Sequence, residues 1–300
     1  RDRACADHGF FLLHGHGCDD LIAAMFEQSH GFFAQPRNVK LAVARDAQNP
    51  LGYYDRELTK QKRDLKEVFD FKAGGHQSSN PQRQSRWPAG MPQFRVTLTQ
   101  FFQRFTELSE QTMRLIFSAL GMPAEVTDQT MAQGFGESHT SAARLNFYPA
   151  SDPVPEEERG KINALGDMAL HHHTDPGAIT LLIQDEHGGL QARSKTHGWI
   201  DVPPQPGTIV VNIGDVMQVW TNDQCVAGMH RVVPVSSSRG RYSTPFFYQP
   251  RFDAQIQPWV APGEAAHYRP FSWRDYIHAR VTDNFADYGV DDVQISRYAL

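Results

Sequence analysis

The segment ALHHHTDPGAITLLIQD, residues 169–185, begins with a cluster of four side chains that can bind a metal: His171, His172, His173 and Asp175. Alternate side chains of an extended strand share a face, so His172 would point away from its two histidine neighbours. Two kinds of metal site fit this pattern. His171 with His173 is typical of a cupin-like site with three histidines, whereas His173 with Asp175 is typical of the 2-His-1-carboxylate triad that binds non-haem Fe(II).

Either site needs a third ligand from a distant strand. The downstream candidates are His187, His197, His230, His267 and His278. The first two lie beside glycines typical of turns, and the last two lie in or near the C-terminal segment. His230 alone begins a predicted strand, HRVVPV, and is therefore the favoured third ligand.

Two further groups of polar side chains are spaced to share a strand face. Arg241 and Ser243 combine a guanidinium with a hydroxyl, which suits a carboxylate, although a lone Arg-x-Ser is more often part of a surface ion pair. Arg144, Asn146 and Tyr148 in RLNFYP form the second group. A strand tyrosine is usually a packing residue, so this second group is the weaker signal.

Short apolar runs follow one another after about residue 140, separated by Gly, Pro, Asn and Asp. They are ARLNFYP, AITLLIQD, GLQARS, GWIDVPP, GTIVVNIG, MQVWTN, HRVVPV and RYSTPFFYQ. Many short strands at close spacing predict a β-sandwich or a jelly roll.

Apolar periodicity and capping signals predict helices on both sides of this β core. Their boundary residues are Asp19 and Asp20 as caps with Pro36 as a stop, Val96 and Leu120 with Gly121 as a stop, and Ser272 at the start of a C-terminal helix. We therefore expect an α+β fold dominated by β-structure, in one domain over 1–300. Its parts would be a mixed helical region, 1–135, a β core, 140–252, and a C-terminal helical segment, 253–300.

Composition excludes several classes of function. The 300 residues carry a net charge of −5 without a block of Lys or Arg, so we expect no nucleic-acid and no membrane partner. No apolar run approaches the roughly 20 residues that span a bilayer. Three cysteines without CxxC spacing indicate neither a disulfide framework nor a structural zinc site, and fit a cytoplasmic location. We expect a small-molecule substrate and a monomer or weak homo-oligomer.

The segments HTDPGAITLLIQDEHGGLQ, GTIVVNIGDVMQVWTN, MHRVV and RYSTPFFYQP resemble the core of the 2-oxoglutarate- and Fe(II)-dependent oxygenases. The similarity is to the branch with isopenicillin N synthase and the plant flavonoid, gibberellin and aminocyclopropane-carboxylate oxidases. It extends more weakly to ACADHGFFLLHGHG and GYYDRELTKQKRDLKEVFDF. The resemblance implies a double-stranded β-helix, or jelly roll, flanked by N-terminal and C-terminal helices. It also implies Fe(II), 2-oxoglutarate as cosubstrate, O2, and ascorbate as an optional activator.

The resemblance assigns a role to each candidate residue. The implied iron ligands are His173, Asp175 and His230, the implied ligands of the distal carboxylate of 2-oxoglutarate are Arg241 and Ser243, and Asn146 and Tyr148 lie near the cosubstrate or metal. The last two match an NYYP-like segment of the family, from which Phe147 departs.

The implied reaction is oxidation of a small metabolite, in the first place hydroxylation, coupled to oxidative decarboxylation of 2-oxoglutarate. Two alternatives stay open. One is an oxidase of the same fold that closes a ring or desaturates without 2-oxoglutarate, and the other is a non-catalytic ligand-binding protein. Phe69, Phe71, Phe247 and Tyr248 are candidates for an apolar substrate pocket, with core packing as the alternative.

Overall fold

A computed structural model describes residues 2–59, 62–73, 84–234, 240–285 and 294–300. The strands are β1 (Phe10–His14), β2 (Gly52–Tyr54), β3 (Leu58–Thr59), β4 (Lys62–Arg63), β5 (Glu67–Phe71), β6 (Ala142–Tyr148), β7 (Leu170–His173), β8 (Ile179–Gln184), β9 (Leu190–Ser194), β10 (Gly198–Asp201), β11 (Thr208–Ile213), β12 (His230–Val232), β13 (Arg241–Tyr248), β14 (Gln255–Ile256) and β15 (Phe271–Ser272). The α-helices are α1 (Asp2–Asp7), α2 (Asp19–Phe33), α3 (Arg37–Leu41), α4 (Pro92–Ala119), α5 (Ala124–Gly134), α6 (Glu156–Arg159), α7 (Asp215–Trp220) and α8 (Trp273–Phe285). Two 3-10 turns cover Gly136–Ser138 and Ile295–Tyr298.

Two antiparallel sheets form the centre of the molecule. The large sheet has seven strands in the order β1-β11-β8-β13-β6-β5-β2, and the small sheet has four in the order β10-β9-β12-β7. Phe10 and Val210 of the large sheet pack against Leu190 and Val232 of the small sheet. The predicted jelly roll is therefore confirmed, and β1, β2 and β5 add N-terminal strands that the sequence analysis did not delimit.

The large sheet sends alternate side chains to two different cores. In β11, Ile209, Val211 and Ile213 belong to the larger core beside the helices, whereas Val210 belongs to the smaller core between the sheets. The same alternation runs through β6, β8 and β13. The inner face of the large sheet thus carries the polar residues of these strands, enclosed by the small sheet.

Helix α4 covers the outer face of the large sheet. Its Phe102 contacts Phe246 of β13 edge to face, with ring centroids 5.1 Å apart. The predicted helix is confirmed, although it begins at Pro92 and not at Val96, because a proline is tolerated in the first turn where its missing N–H has no helical partner. Gly121 follows its end with φ of +77°, as a helix stop requires.

Two local predictions are wrong. Cys18 is the N-cap residue of α2, and Asp19 and Asp20 lie in the first turn without a capping hydrogen bond, where their charges still favour the helix N-terminus. The run MQVWTN lies mostly in helix α7 and not in a strand. Val216 and Val219 of this helix are both fully buried, so three-residue spacing was the signal and the apparent alternation was misleading.

Among the described residues, no helix is long and apolar enough to cross a membrane.

Candidate active site

The three residues implied as metal ligands converge at one end of the small sheet. His173 ends β7 and faces His230, the first residue of β12, in the strand ladder. Asp175 follows in the turn after β7, and its Oδ1 lies 3.6 Å from Nε2 of His173 and 3.9 Å from Nε2 of His230. One ligand atom from each residue lies within 4.8 Å of the other two, so a single ion can contact all three.

Hydrogen bonds fix both histidine rings in the state that binds metals. Nδ1 of His173 lies 2.9 Å from the carbonyl oxygen of His171, and Nδ1 of His230 lies 2.9 Å from that of Gly228. A carbonyl oxygen only accepts, so each Nδ1 carries the proton and each Nε2 presents a lone pair. Burial, helped by the neighbouring His230, lowers the pKa of His173 to about 3, so this ring is neutral at physiological pH.

Hydrogen bonds hold one carboxylate oxygen of Asp175, and the other oxygen faces the two histidines. Its Oδ2 accepts hydrogen bonds from Thr180 Oγ1 at 2.6 Å and from Asn212 Nδ2 at 2.8 Å. Burial acts to raise the pKa of Asp175, but the two histidines and these hydrogen bonds outweigh it and hold the pKa below its usual value. The residue is therefore an anionic donor whose Oδ1 faces the histidine rings.

The other candidate histidines lie outside this cluster. His171 carries a side chain that is 16% exposed, with Nδ1 3.6 Å from Oδ1 of Asp64 and Nε2 3.7 Å from Oδ1 of Asp167. His172 is exposed on the opposite face, near Trp199. Within the described part of the chain, the remaining candidates His187, His197, His267 and His278 make their contacts elsewhere. This geometry favours the triad over the cupin-like alternative.

Arg241 is a buried residue and not part of a surface ion pair. It is 1% exposed, its Nη1 donates to Ser243 Oγ at 3.2 Å, and its Nη2 donates to Gln184 Oε1 at 3.2 Å. The Tyr148 ring packs against the guanidinium with its centroid 5.0 Å away. No carboxylate in the described ranges lies within 4.0 Å of its nitrogens. A buried guanidinium of this kind suits an anionic ligand.

The pairing of β6 with β13 places the remaining candidates, Asn146 and Tyr148, beside Arg241 and Ser243. Tyr148 stands opposite Arg241 and Asn146 opposite Ser243 in the β6–β13 ladder, with Asn146 Nδ2 3.4 Å from Ser243 Oγ. Phe147 points to the other face, where its ring stacks on that of Tyr242 at 4.5 Å. The departure at Phe147 therefore leaves the inner face unchanged.

Arg144 lies on the same inner face as Asn146 and Tyr148, but it pairs with carboxylates of the N-terminal strands and loop. Its Nε donates to Asp70 at 2.7 Å and its Nη1 donates to Glu57 at 2.8 Å. It belongs to a charged network on the N-terminal strands and not to the pair formed by Arg241 and Ser243.

Core packing, the alternative to an aromatic substrate pocket, holds for three of the four aromatic candidates. Phe69, Phe71 and Tyr248 lie in the larger core beside the helices, on the outer face of the large sheet. Phe247 alone follows the inner-face alternation of β13 and is half-buried.

Sequence reasoning missed the residues that support the ligands. Thr180, Gln184 and Asn212 are polar residues within apolar strands, and that exception to the pattern was the available signal.

Comparison with known families agrees with this site. The family described as "2OG-Fe(II) oxygenase superfamily" matches residues 139–250, and the one described as "non-haem dioxygenase in morphine synthesis N-terminal" matches residues 2–93. Homoarginine-6-hydroxylase 2-ODD-233 of Oryza sativa subsp. japonica is 33% identical over 299 residues, which cover 95% of this chain and 88% of that protein.

Two solved structures share the fold. A full-length Neurospora crassa protein, solved in complex with alpha-KG and thymine, aligns with a TM-score of 0.76 and 26% identity over 94% of this chain and 89% of that chain. JOX2, in complex with 2OG, Fe and JA, aligns with a TM-score of 0.75 and 28% identity over 92% of this chain and 79% of that chain. The chain therefore belongs to the 2OG-Fe(II) oxygenase superfamily and is a 2-oxoglutarate- and Fe(II)-dependent dioxygenase.

Proposed function

We propose that this dioxygenase hydroxylates a small polar metabolite, with Fe(II) held by His173, Asp175 and His230 and the distal carboxylate of 2-oxoglutarate held by Arg241 and Ser243. The observation that carries the proposal is the pairing of two groups inside one barrel. One group offers three metal donors within 4.8 Å of one another, and the other offers a buried guanidinium without a carboxylate partner among the described residues. Bound Fe(II) would supply the oxidising chemistry, at the expense of 2-oxoglutarate and O2.

The residues around Arg241 would bind the carboxylate of 2-oxoglutarate and fix its orientation. Arg241 presents parallel N–H donors to a carboxylate, and Ser243 adds a hydroxyl beside them. Tyr148 packs on the guanidinium and restricts its plane. Phe10 packs edge-on against the His230 ring at 5.5 Å, which excludes water from that side of the metal donors.

The name of one relative supports a basic amino acid as the substrate. The rice relative is named for hydroxylation of homoarginine, whereas JOX2 was solved with JA. The carboxylates beside His171 do not decide between these classes, because Asp64 pairs with Lys66 at 3.1 Å and the Asp167 side chain is 85% exposed.

A substrate panel tests the proposal. Purified enzyme with Fe(II), ascorbate and 2-oxoglutarate would be offered homoarginine, arginine and lysine on one side and apolar carboxylic acids such as jasmonate on the other. We expect succinate formation stimulated by a basic amino acid and a product that gains one oxygen atom, with both lost in Asp175→Ala. Normal turnover in Asp175→Ala would refute the ligand assignment, and stimulation by apolar acids alone would refute the substrate class.

We also propose that the enzyme works in the cytoplasm, as a monomer or weak homo-oligomer. The small number of cysteines, three in 300 residues, supports a reducing compartment. Light scattering on the eluting peak of a gel-filtration column tests the oligomeric state, and a stable assembly at micromolar concentration would contradict it.

A further inference from the structure

The C-terminal helix α8 contacts the backbone between the proposed ligands His173 and Asp175. Arg280 of α8 donates from Nη2 to the carbonyl oxygen of Thr174 at 2.7 Å. Thr174 lies between His173 and Asp175, beyond the last residue of β7, where the strand ladder supplies no partner. The guanidinium thus reaches the metal-binding turn from more than 100 positions away in the sequence.

A second residue holds the next carbonyl group of the same turn. Asp215, the first residue of α7, donates its backbone N–H to the carbonyl oxygen of Asp175 at 2.8 Å. Its carboxylate accepts a hydrogen bond from Tyr276 Oη at 2.5 Å and lies 3.8 Å from Nη2 of Arg280. Asp215, Tyr276 and Arg280 are all buried. Two successive carbonyl oxygens of the turn are therefore fixed by residues whose side chains contact one another.

We propose that Arg280, Asp215 and Tyr276 form a positioning network that sets the geometry of the metal-binding turn and thereby the affinity of the site for its metal. The inference rests on the proposed function, because it takes His173 and Asp175 as ligands. It assigns α8 a role in the site although none of the three proposed ligands lies on this helix.

Energetics favour positioning over a purely stabilising role. A buried ion pair is often no more stabilising than apolar side chains of the same volume, so stability alone gives little reason for Arg280 and Asp215 to lie here. Outer residues that hold the metal ligands typically change metal affinity or activity by about 10–100-fold. The contacts of Arg280 and Asp215 go to the turn that carries two ligands, which is where such an effect arises.

Calorimetric titration with Mn(II), which is stable in air, tests the network without requiring a substrate or turnover. Tyr276→Phe removes one hydroxyl and leaves the ring, Arg280→Met removes the guanidinium, and Arg280→Lys keeps the charge with one donor group. We expect Mn(II) to bind about 10–100-fold more weakly to Arg280→Met, with partial recovery in Arg280→Lys and a smaller loss in Tyr276→Phe.

Arg274→Met is the matched control, because Arg274 lies on the same helix but is exposed and packs on Phe252. It should bind Mn(II) as the wild type does. Thermal unfolding without metal shows whether each variant is folded, and Tyr276→Phe keeps the test decisive should Arg280→Met fail to fold.

Wild-type Mn(II) affinity in a folded Arg280→Met variant would overturn the inference, as would equal weakening in Arg274→Met. If Arg280→Met does not fold, wild-type affinity in both Tyr276→Phe and Arg280→Lys would overturn it. His173→Ala separates this failure from that of the proposed function. If His173→Ala also bound Mn(II) normally, the ligand assignment itself would be wrong. If only the network variants bound normally, the ligands would stand and the positioning role would fall.

Discussion

Replacing Arg241 by lysine tests the assigned 2-oxoglutarate site most directly. The side chain is 1% exposed, and Nη1 and Nη2 each have a neutral oxygen 3.2 Å away, so its planar fork is held ready for a carboxylate. Lysine keeps the charge but cannot donate two parallel hydrogen bonds. A hydrogen bond to a charged group contributes about 1.5–3 kcal/mol, so the loss of one raises the KM for 2-oxoglutarate by about 10–150-fold.

The assay is the initial rate of succinate formation at varied 2-oxoglutarate concentration. Ser243→Ala loses one hydrogen bond to the same carboxylate but keeps the paired guanidinium, so it should raise this KM by about 10-fold, the lower end of that range. Arg251→Lys is the control, because Arg251 lies at the surface and pairs with Asp253. A KM in Arg241→Lys within about threefold of the wild-type value, with Mn(II) affinity unchanged, would refute the assignment of Arg241.

Contacts around the site lead to three further predictions. Gly214→Ala should lower the free energy of unfolding by about 1–3 kcal/mol in urea titrations, because an added Cβ would lie 2.2 Å from the carbonyl oxygen of Gly177. Unchanged stability would contradict this contact. Thr180→Val, which removes one hydrogen bond to Asp175, should weaken Mn(II) binding about 10-fold or more while the chain stays folded, and unaltered Mn(II) affinity would count against the support given to this carboxylate. Burial acts to raise the pKa of Glu57, but Arg144, Lys66 and Arg45 outweigh it and hold the pKa well below the usual value. The charge of Glu57 therefore stabilises the fold fully above about pH 4.3, and this contribution is lost as the pH falls through the lower folded-state pKa. The stability deficit of Glu57→Gln in unfolding titrations should accordingly be largest near neutral pH and shrink in acid, and a pH-independent deficit would show the prediction wrong.

Strand periodicity made most of the β core predictable. Each predicted run after residue 140 contains a strand except MQVWTN, and the rule that alternate residues share a face placed Arg241 with Ser243 and Asn146 with Tyr148. The failure at MQVWTN has a physical reason: within so short a run, the apolar positions of a buried helix and of a buried strand are too few for their periodicity to distinguish the two.

Residue type and spacing predicted a cluster of possible metal ligands but left two kinds of site open, and the resemblance to the oxygenase family selected the proposed triad; the residues that support it were not predicted. Thr180 and Asn212 reach Asp175 because β8 and β11 are neighbours in register, which the sequence of either strand does not encode. Arg280 is farther from the site in the sequence, and its contact with Thr174 depends on how α8 packs against the turn after β7. Thr180 and Asn212 stand out in the sequence only as polar residues within apolar strands, and Arg280 lacks even that signal, so tertiary packing alone identifies their partners.

Neighbouring residues of the large sheet have different roles: those on the outer face stabilise the fold, and those on the inner face support the site. Leu181 is fully buried in the core beside the helices, whereas Thr180 donates to Asp175 on the inner face. Truncating Leu181 would cost about 2–5 kcal/mol of stability and leave the donor set intact, the reverse of the effect expected for Thr180. A slip of one residue in the register of β8 would exchange these roles. Packing of the aromatic side chains of α4 on the outer face therefore keeps the polar residues aimed at the site, and the N-terminal helices serve catalysis without supplying any of the proposed ligands.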